Sequence, residues 1–483
     1  MPGEITFKFR VKVYVEVGFW DLIAVSLVLL FTLGLWVIGP PLALDDFYHL
    51  SVARVICQFG FTPTWDWWEY APFGRPHLYP PLLHVFLAFL TSIFHGDLFL
   101  AARAVKVLCY PFLAFCFWLS ARGFIGKYAL CSLVVLLCST SLFLMGCMIM
   151  PATLVLALTC LLFHAFRKRK LWLSTILMAA CFWLHLAMPF LTVLALLPQS
   201  ILEGDVKFYL KMTATSLSTY VPWMLHVLNH FSWLHSTNMP LELYVPVLAW
   251  ALGFPSLVKE FKCKGETVYG FYLLALTPLL ASYGHRFWVY ALIPISFYVG
   301  VTFKWLNQMG RTRKIGVILL VLLAATSFTW TPTIGKPATL PDGRVLNAGF
   351  SLFQPTPLML IATWPQERRG LLTRDSMEMW MASLWIVGNV PPWQPVCVLG
   401  WMSMVEGDMI TAFSGRPTTS GMWLEVMKPE LALLVHGYVA DHGVVYVVNA
   451  GLKPPPGLKP ALKLNTVTIY VRENAWQSQD GRV

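Results

Sequence analysis

Long apolar runs separated by short polar turns fill the chain from Phe19 to Trp330. Many approach the ~20 residues that a helix needs to cross a bilayer core. Hydropathy counting places spans at Phe19 to Gly39, Leu98 to Leu119, Ala129 to Met148, Pro151 to Phe166, Leu171 to Ala187 and Met188 to Leu202. Further runs follow at Phe208 to Leu228, Leu243 to Val258, Val268 to Ala281, Phe287 to Phe303 and Ile315 to Trp330, for about eleven spans in all. Lys8, Arg10 and Lys12 precede the first run and put the N-terminus in the cytoplasm, so the stretch from Leu42 emerges outside. Pro80 to Ile93 is apolar but short and opens on two prolines. If it crossed, the cluster Arg167-Lys168-Arg169-Lys170 would fall outside, against the positive-inside rule. If it lies on or dips into the outer face, then Arg122 and Lys127, the Arg167 cluster, Lys259 to Lys264 and Lys304 to Lys314 all fall inside.

From Thr331 the pattern changes to mixed polarity with many Pro and Gly. The chain therefore divides into a transmembrane domain over 1–331, with a first external loop at 42–97, and an extracytoplasmic soluble domain over 332–483. The second domain reads as α/β, with helices over Asp375 to Val387 and Pro429 to His442 and strands at Pro395 to Leu399, Val444 to Val448 and Val467 to Val471. No internal repeat or low-complexity tract stands out.

Composition sharpens this. With 57% hydrophobic and 12% charged residues in 483, and a mean hydropathy of +0.64, the chain is a polytopic α-helical membrane protein. The formal charge of +11 sits in short clusters between apolar runs, as at a cytoplasmic membrane face, so it does not indicate nucleic-acid binding. Of the ten Cys, Cys109, Cys116, Cys131, Cys138, Cys147, Cys160 and Cys181 lie in apolar runs without CxxC spacing and read as small buried hydrophobes. The opening MPGEITFKFRVKVYVEVGF is too polar for a signal peptide, so the first apolar run is expected to remain as an anchor.

The stretch Leu42 to Leu83 is a polar island that gathers Asp45, Asp46, His49, Asp66, Glu69 and Arg75 among aromatics, Gly and Pro. Asp45-Asp46-Phe-Tyr-His49 opens a helical pattern that Gly60 can end. Asp45 or Asp46 would cap it, with His49 one turn on and on the same side. A carboxylate there can serve as general base toward an acceptor hydroxyl or amide, or as ligand to a hard divalent cation; equally, it can mark the water boundary and cap a helix. Arg286, in Tyr283-Gly-His-Arg-Phe-Trp beside His285, lies at the outer end of a span, where its forked donors could hold a phosphate. Arg103 and Lys106, in the outer half of the second span, either face a polar cavity or snorkel. His230, His235 and Glu242 occupy an outer loop without a compact metal spacing, and the two His read as exposed loop residues.

The order LDDFYHL, Gly, Asp66, PFGRP, PPLL resembles the first external loop of GT-C-fold glycosyltransferases, nearest the oligosaccharyltransferase catalytic subunits of the archaeal AglB type. RAVKVLCYPFLAF is similar to their second span, YGHRFWVYALIP to their Arg-Phe segment near the lipid phosphate, VLGWMSMVEGDMITAFSGRPTTSG to the start of their soluble domain, and VVYVVNAG to a later strand of it. The resemblance covers most of the chain. It implies that Asp45 is the first-loop acid, Arg286 the phosphate-contacting Arg, and Glu242 the carboxylate of the flexible external loop; Asp46 stands where the family often has Pro. Two departures are plain. The family's acceptor-binding Trp-Trp-Asp-Tyr-Gly appears as Ser403-Met-Val-Glu-Gly407, and no Asp or Glu occurs from Leu98 to Leu202, where the family has a second acidic motif.

A Mg²⁺ or Mn²⁺ ion, the candidate cofactor, would then depend on Asp45, Asp46, Glu242 and water, which weakens a metal-assisted mechanism. The favoured expectation is transfer of a sugar from a polyprenyl- or dolichyl-phosphate-linked donor to a glycan, lipid or protein acceptor on the extracytoplasmic face. Arg286, His285 and Arg103 would hold the phosphate, His49, Arg75 and Glu242 would contact substrate, and Asp45 or Asp46 would act as base in an inverting displacement. The alternatives are a divergent oligosaccharyltransferase moving a lipid-diphosphate glycan to protein, and a non-catalytic subunit that binds lipid-linked sugars.

Overall fold

The computed structural model describes residues 18–234, 245–263, 265–282, 287 and 289–308, short stretches between 315 and 363, and 371–400, 403–421 and 429–472. The uninterrupted apolar run after Gly18 forms α1 (Phe19–Ile38). It lies antiparallel to α4 (Leu98–Ile125), with contacts that tie both ends of the pair: Asp21 meets Arg122 at 2.5 Å, and Arg103 stacks 4.6 Å over the Trp36 ring while donating to the Trp36 carbonyl at 2.9 Å. Arg103 thus sits beside the far end of α1, where the chain turns into the polar island.

Between these helices lie α2 (Leu44–Phe59), the two-residue strands β1 (Trp65–Asp66) and β2 (Arg75–Pro76), and α3 (Leu82–Ile93). Gly60 ends α2 in a left-handed conformation (φ 75°), its N–H returning to Ile56 at 2.8 Å.

The run expected as one span over Ala129 to Met148 is divided. A short α5 (Ala129–Leu137) stops, and Ser139 starts α6 (Thr140–Gly146) by accepting the Leu142 N–H at 3.3 Å, as Ser prefers to do at a helix N-cap. α6 and α7 (Pro151–Arg167) are bent by 109° at the break before Pro151. α8 (Leu171–Leu184), α9 (Met188–Glu203), α10 (Val206–Asn229), α11 (Val247–Cys263), α12 (Val268–Ser282) and α13 (Leu292–Gln308) complete the bundle. Arg167 pairs with Glu266 at 3.0 Å and Arg169 with Asp205 at 2.7 Å, which gathers the basic turn after α7 and the starts of α10 and α12 at one end of the bundle.

Among the described residues, Phe19–Ile38 and Leu98–Leu137 are long and apolar enough to cross a membrane, and the bent pair α6–α7 is a third if it counts as one span. Leu82–Ile93, Leu171–Leu184, Met188–Glu203 and Val268–Pro278 are apolar but shorter. Most of the expected span Ile315 to Trp330 lies outside the described residues.

Farther along, strands β3 (Val245–Pro246), β4 (Trp330–Ile334) and β7 (Phe353–Pro355) form a small antiparallel sheet, and β5 (Ala338–Thr339) pairs with β6 (Val345–Leu346). α14 (Pro357–Thr363) touches α1, where a Cβ on Gly34 would stand 3.0 Å from Ile361.

The last part of the chain is α/β. α15 (Arg374–Asn389) and β8 (Val396–Leu399) precede α16 (Ser403–Ser414) and α17 (Pro429–His442), and β9 (Val445–Asn449), β10 (Leu458–Lys463) and β11 (Val467–Arg472) follow. The sheet order is β10-β11-β9-β8. β8 and β9 run parallel, which requires a long crossover, and α16 and α17 lie within it.

This part docks on the first loop. Arg54 of α2 donates to the carbonyls of Ala412 and Phe413 at 3.1 and 3.4 Å, Tyr70 donates to the Gly421 carbonyl at 2.7 Å, and Thr418 and Ala71 exchange backbone bonds with Trp68 and Thr418. Phe413 closes the seam edge-on against Phe47 and tilted against Phe99.

Candidate functional site

α2 begins at the mouth of the bundle with two carboxylates whose surroundings differ. Asp46 is fully buried and sits at the third helical position, where its Oδ2 accepts the Ala43 N–H at 2.7 Å and so caps the helix from inside. The same oxygen receives the ammonium of Lys106, itself 1% exposed, and Oδ1 accepts the Ile149 N–H at 2.5 Å, at the break between α6 and α7. Both oxygens are thus engaged by a cation and two amides. Asp45, one residue earlier, is only half-buried. The sequence treated the two acids as equivalent caps or bases; the structure separates them, because only the third position points back into the helix entrance.

A second buried cluster fills the loop. Arg75 is fully buried and reaches Glu69 through Nε at 2.7 Å and through its terminal nitrogen at 2.6 Å, and Asp66 at 3.2 Å. Asp66 in turn meets His77 Nδ1 at 2.8 Å. The sequence reading has Arg75 as a substrate ligand; here its guanidinium lies inside the loop, because the β1–β2 pairing sets it opposite Asp66.

Asp408 of α16 completes the cluster and was not foreseen. It is fully buried beside Glu69, and among the described residues neither Glu69 Oε1 nor the Asp408 oxygens has another donor, so a proton shared between the two carboxyls would satisfy them. Gly421 lets Glu69 in, since a Cβ there would stand 2.5 Å from its carboxyl carbon. Burial, and after it the Glu69 charge, pushes the Asp408 carboxyl well above the usual carboxylate range. Burial also raises Glu69, against the pull of Arg75. The folded protein therefore keeps a proton that the unfolded chain releases. Stability is full below the ordinary carboxylate range, near pH ~4, and is lost as pH rises toward the raised folded values. The midpoint of thermal unfolding should accordingly fall as pH is raised. Asp408→Asn, neutral at every pH, should flatten that fall when both proteins are scanned across the same buffers.

His49 lies one turn beyond Asp45, and its Nδ1 stands 2.9 Å from Nε2 of His84 on α3. One ring must donate and the other accept, so at least one is neutral. Tyr79 sits edge-on to both rings, 5.5 and 6.1 Å away, and reaches His185 at 5.9 Å. His77 is also edge-on to His84 at 5.4 Å. The sequence pointed to His49 alone, since the partners come from separate elements.

Arg103 is held against Trp36 three residues before Lys106 on α4, so both lie at the end of the α1–α4 pair that meets α2. Arg286, His285 and Glu242 lie outside the described residues. Ser403 to Gly407 forms the first half of α16, and Glu406 there accepts from the Asn449 amide.

A divalent cation wants several oxygen donors. Asp46 gives its oxygens to an ammonium and two N–H groups and so does not fit Mg²⁺ or Mn²⁺, and among the described residues no group of three His, Cys, Asp or Glu is arranged to hold a metal; Glu242, expected beside Asp45 as a ligand, lies outside them.

A helical bundle whose acidic first inter-helix loop packs against an α/β region is the fold of several solved glycosyltransferases, in line with the resemblance of the sequence to GT-C proteins. The oligosaccharyltransferase AglB from Archaeoglobus fulgidus, in complex with an inhibitory peptide and a dolichol-phosphate, superposes with a TM-score of 0.63 at 12% identity over 89% of this chain and 69% of its own. ArnT from Cupriavidus metallidurans, bound to undecaprenyl phosphate, gives 0.59 at 14% identity over 94% of this chain and 98% of its own. The arabinofuranosyltransferase AftD from Mycobacteria gives 0.55 at 14% identity over 94% of this chain, which spans 40% of AftD. No model of a protein family matches the sequence, and no curated protein matches it.

Proposed function

We propose that the protein is a membrane glycosyltransferase that moves a sugar from a polyprenyl-phosphate-linked donor to an acceptor hydroxyl on the extracytoplasmic face. The observation that carries this reading is the difference in exposure of neighbouring acids. Asp46 is fully buried and tied to Lys106, Ala43 and Ile149, while Asp45 keeps partial exposure at the same helix entrance.

Asp45 takes the acceptor proton as the acceptor oxygen attacks the anomeric carbon. The bond from that carbon to the phosphate oxygen breaks, the lipid phosphate leaves with the electron pair, and the carbon is inverted. Arg286 and His285, with Arg103 at the outer end of α4, bind the phosphate and stabilise the charge that grows on it. Lys106 acts through Asp46, holding the entrance of α2 against the α6–α7 break. The similarity to structures holding dolichol-phosphate and undecaprenyl phosphate supports a polyprenyl-phosphate donor.

The reading that a diphosphate-linked glycan is moved to protein is favoured by the match to AglB, but Ser403 to Gly407 gives it no Trp-Trp-Asp-Tyr sequence for the acceptor. The test is the lipid that copurifies, read by native mass spectrometry, together with transfer from labelled lipid-monophosphate and lipid-diphosphate sugars. We expect a polyprenyl monophosphate and turnover of the monophosphate donor that survives EDTA. Peptide labelling from the diphosphate donor, abolished by EDTA, would replace this reading with the second.

A further inference from the structure

A cleft of about 360 Å³ opens between the last turn of α2, the chain around Trp67 and Trp68, and the segment that leads into β8. That size is within the ~300–1,000 Å³ of small-molecule sites. We infer that it is a second sugar-binding subsite, which holds a neutral oligosaccharide acceptor at a distance from the transfer site; the assignment rests on the transferase reading above.

The lining is the first argument. It contains no charged side chain, so it offers nothing to a phosphate or to a charged peptide. It does offer aromatic faces: Trp393 is 77% exposed and Phe59 54% exposed. Ring packing fixes the Phe59 wall, with Phe59 edge-on to Trp67 at 5.3 Å and Trp67 edge-on to Trp68 at 5.1 Å. The electron-rich face of an aromatic ring accepts the C–H face of a sugar ring, and a rigid ring pays little entropy to do so.

The second argument is polar. Gln58, an exposed side chain of the same wall whose amide lies against Gly415, offers two N–H donors and a carbonyl acceptor to sugar hydroxyls. Aromatic faces beside an uncharged amide suit a neutral carbohydrate.

The third argument is position. Asp45 is in the first turn of α2 and Gln58 in its last, so at about 1.5 Å per residue they are roughly 20 Å apart. A sugar in the cleft is therefore not the one that reacts. An acceptor occupying both places is a glycan several units long, with its growing end at Asp45 and an earlier unit stacked on Trp393.

The test uses the full chain in lipid nanodiscs and a panel of neutral tetrasaccharides of mannose, glucose, galactose and arabinose, with saturation-transfer NMR and equilibrium titration as readouts. At least one tetrasaccharide should bind saturably. Trp393→Ala, a change at an exposed residue, should weaken it at least tenfold, while the control Trp172→Ala, at an exposed residue outside the cleft, should leave it unchanged. Three results overturn the subsite: no saturable binding by any tetrasaccharide, binding indifferent to Trp393→Ala, or Trp393-dependent binding of a proline-rich peptide or of phospholipid vesicles in place of the sugars. Trp393-dependent binding by a protein that transfers from no lipid-linked donor would leave the subsite standing and remove the transferase reading.

Discussion

Asp45→Asn is expected to reduce sugar transfer by about 10²–10⁴-fold, the usual contribution of a positioned general base, while polyprenyl-phosphate binding stays within about twofold of the parent. The amide keeps the size of the side chain and its place in the first turn of α2, but cannot take the acceptor proton. Asp46→Asn should behave differently. It leaves the Lys106 ammonium buried without its counter-charge, so its first effect is on folding yield and thermal stability, with activity falling in proportion to correctly assembled protein. Single-turnover transfer from a labelled donor, read beside unfolding temperature and lipid binding, separates the two. Equal activity loss at both positions with undiminished stability would sink the assignment of the base to Asp45 alone.

Arg75→Met should be the most damaging change to stability in the first loop. The guanidinium is the shared cation of Asp66 and Glu69, and all three side chains are fully buried. Removing one partner of a buried ion pair costs about 3–5 kcal/mol, because the remaining charge is left uncompensated in a low-dielectric site. The variant should therefore show a lowered unfolding temperature and faster proteolysis between β2 and α3. Adding Asp66→Asn and Glu69→Gln should recover part of the loss, since a network neutral throughout carries less penalty than a broken one. A wild-type unfolding temperature for Arg75→Met would show that the cluster contributes little.

Local signals carried well where a pattern is periodic or a stop is chemical. The apolar run of α1, the left-handed stop at Gly60, and the positions of α15, α17, β8, β9 and β11 could all be read from neighbouring residues. The division at Ser139 was less legible, because a capping serine inside an apolar run looks the same to a hydropathy sum as one in mid-helix.

The candidate site was half legible for a related reason. The first loop stood out by polarity, but which of its charges face each other depends on non-local packing. Lys106 could be read as snorkelling or as facing a cavity until Asp46 was found opposite it, and Asp408 carried no local signal, since its partner Glu69 is set by the docking of α16. Arg286, His285 and Glu242 rest on sequence alone.

The lysine held against Asp46 has one consequence for how such an enzyme would be controlled. A divalent ion beside a first-loop acid exchanges with the medium, and its occupancy follows supply. An ammonium carried on α4 is part of the polypeptide, present at a fixed stoichiometry from the moment the chain folds. The position of Asp46 at the entrance of α2 is therefore expected to be set when the chain folds, whatever divalent ions the surroundings hold.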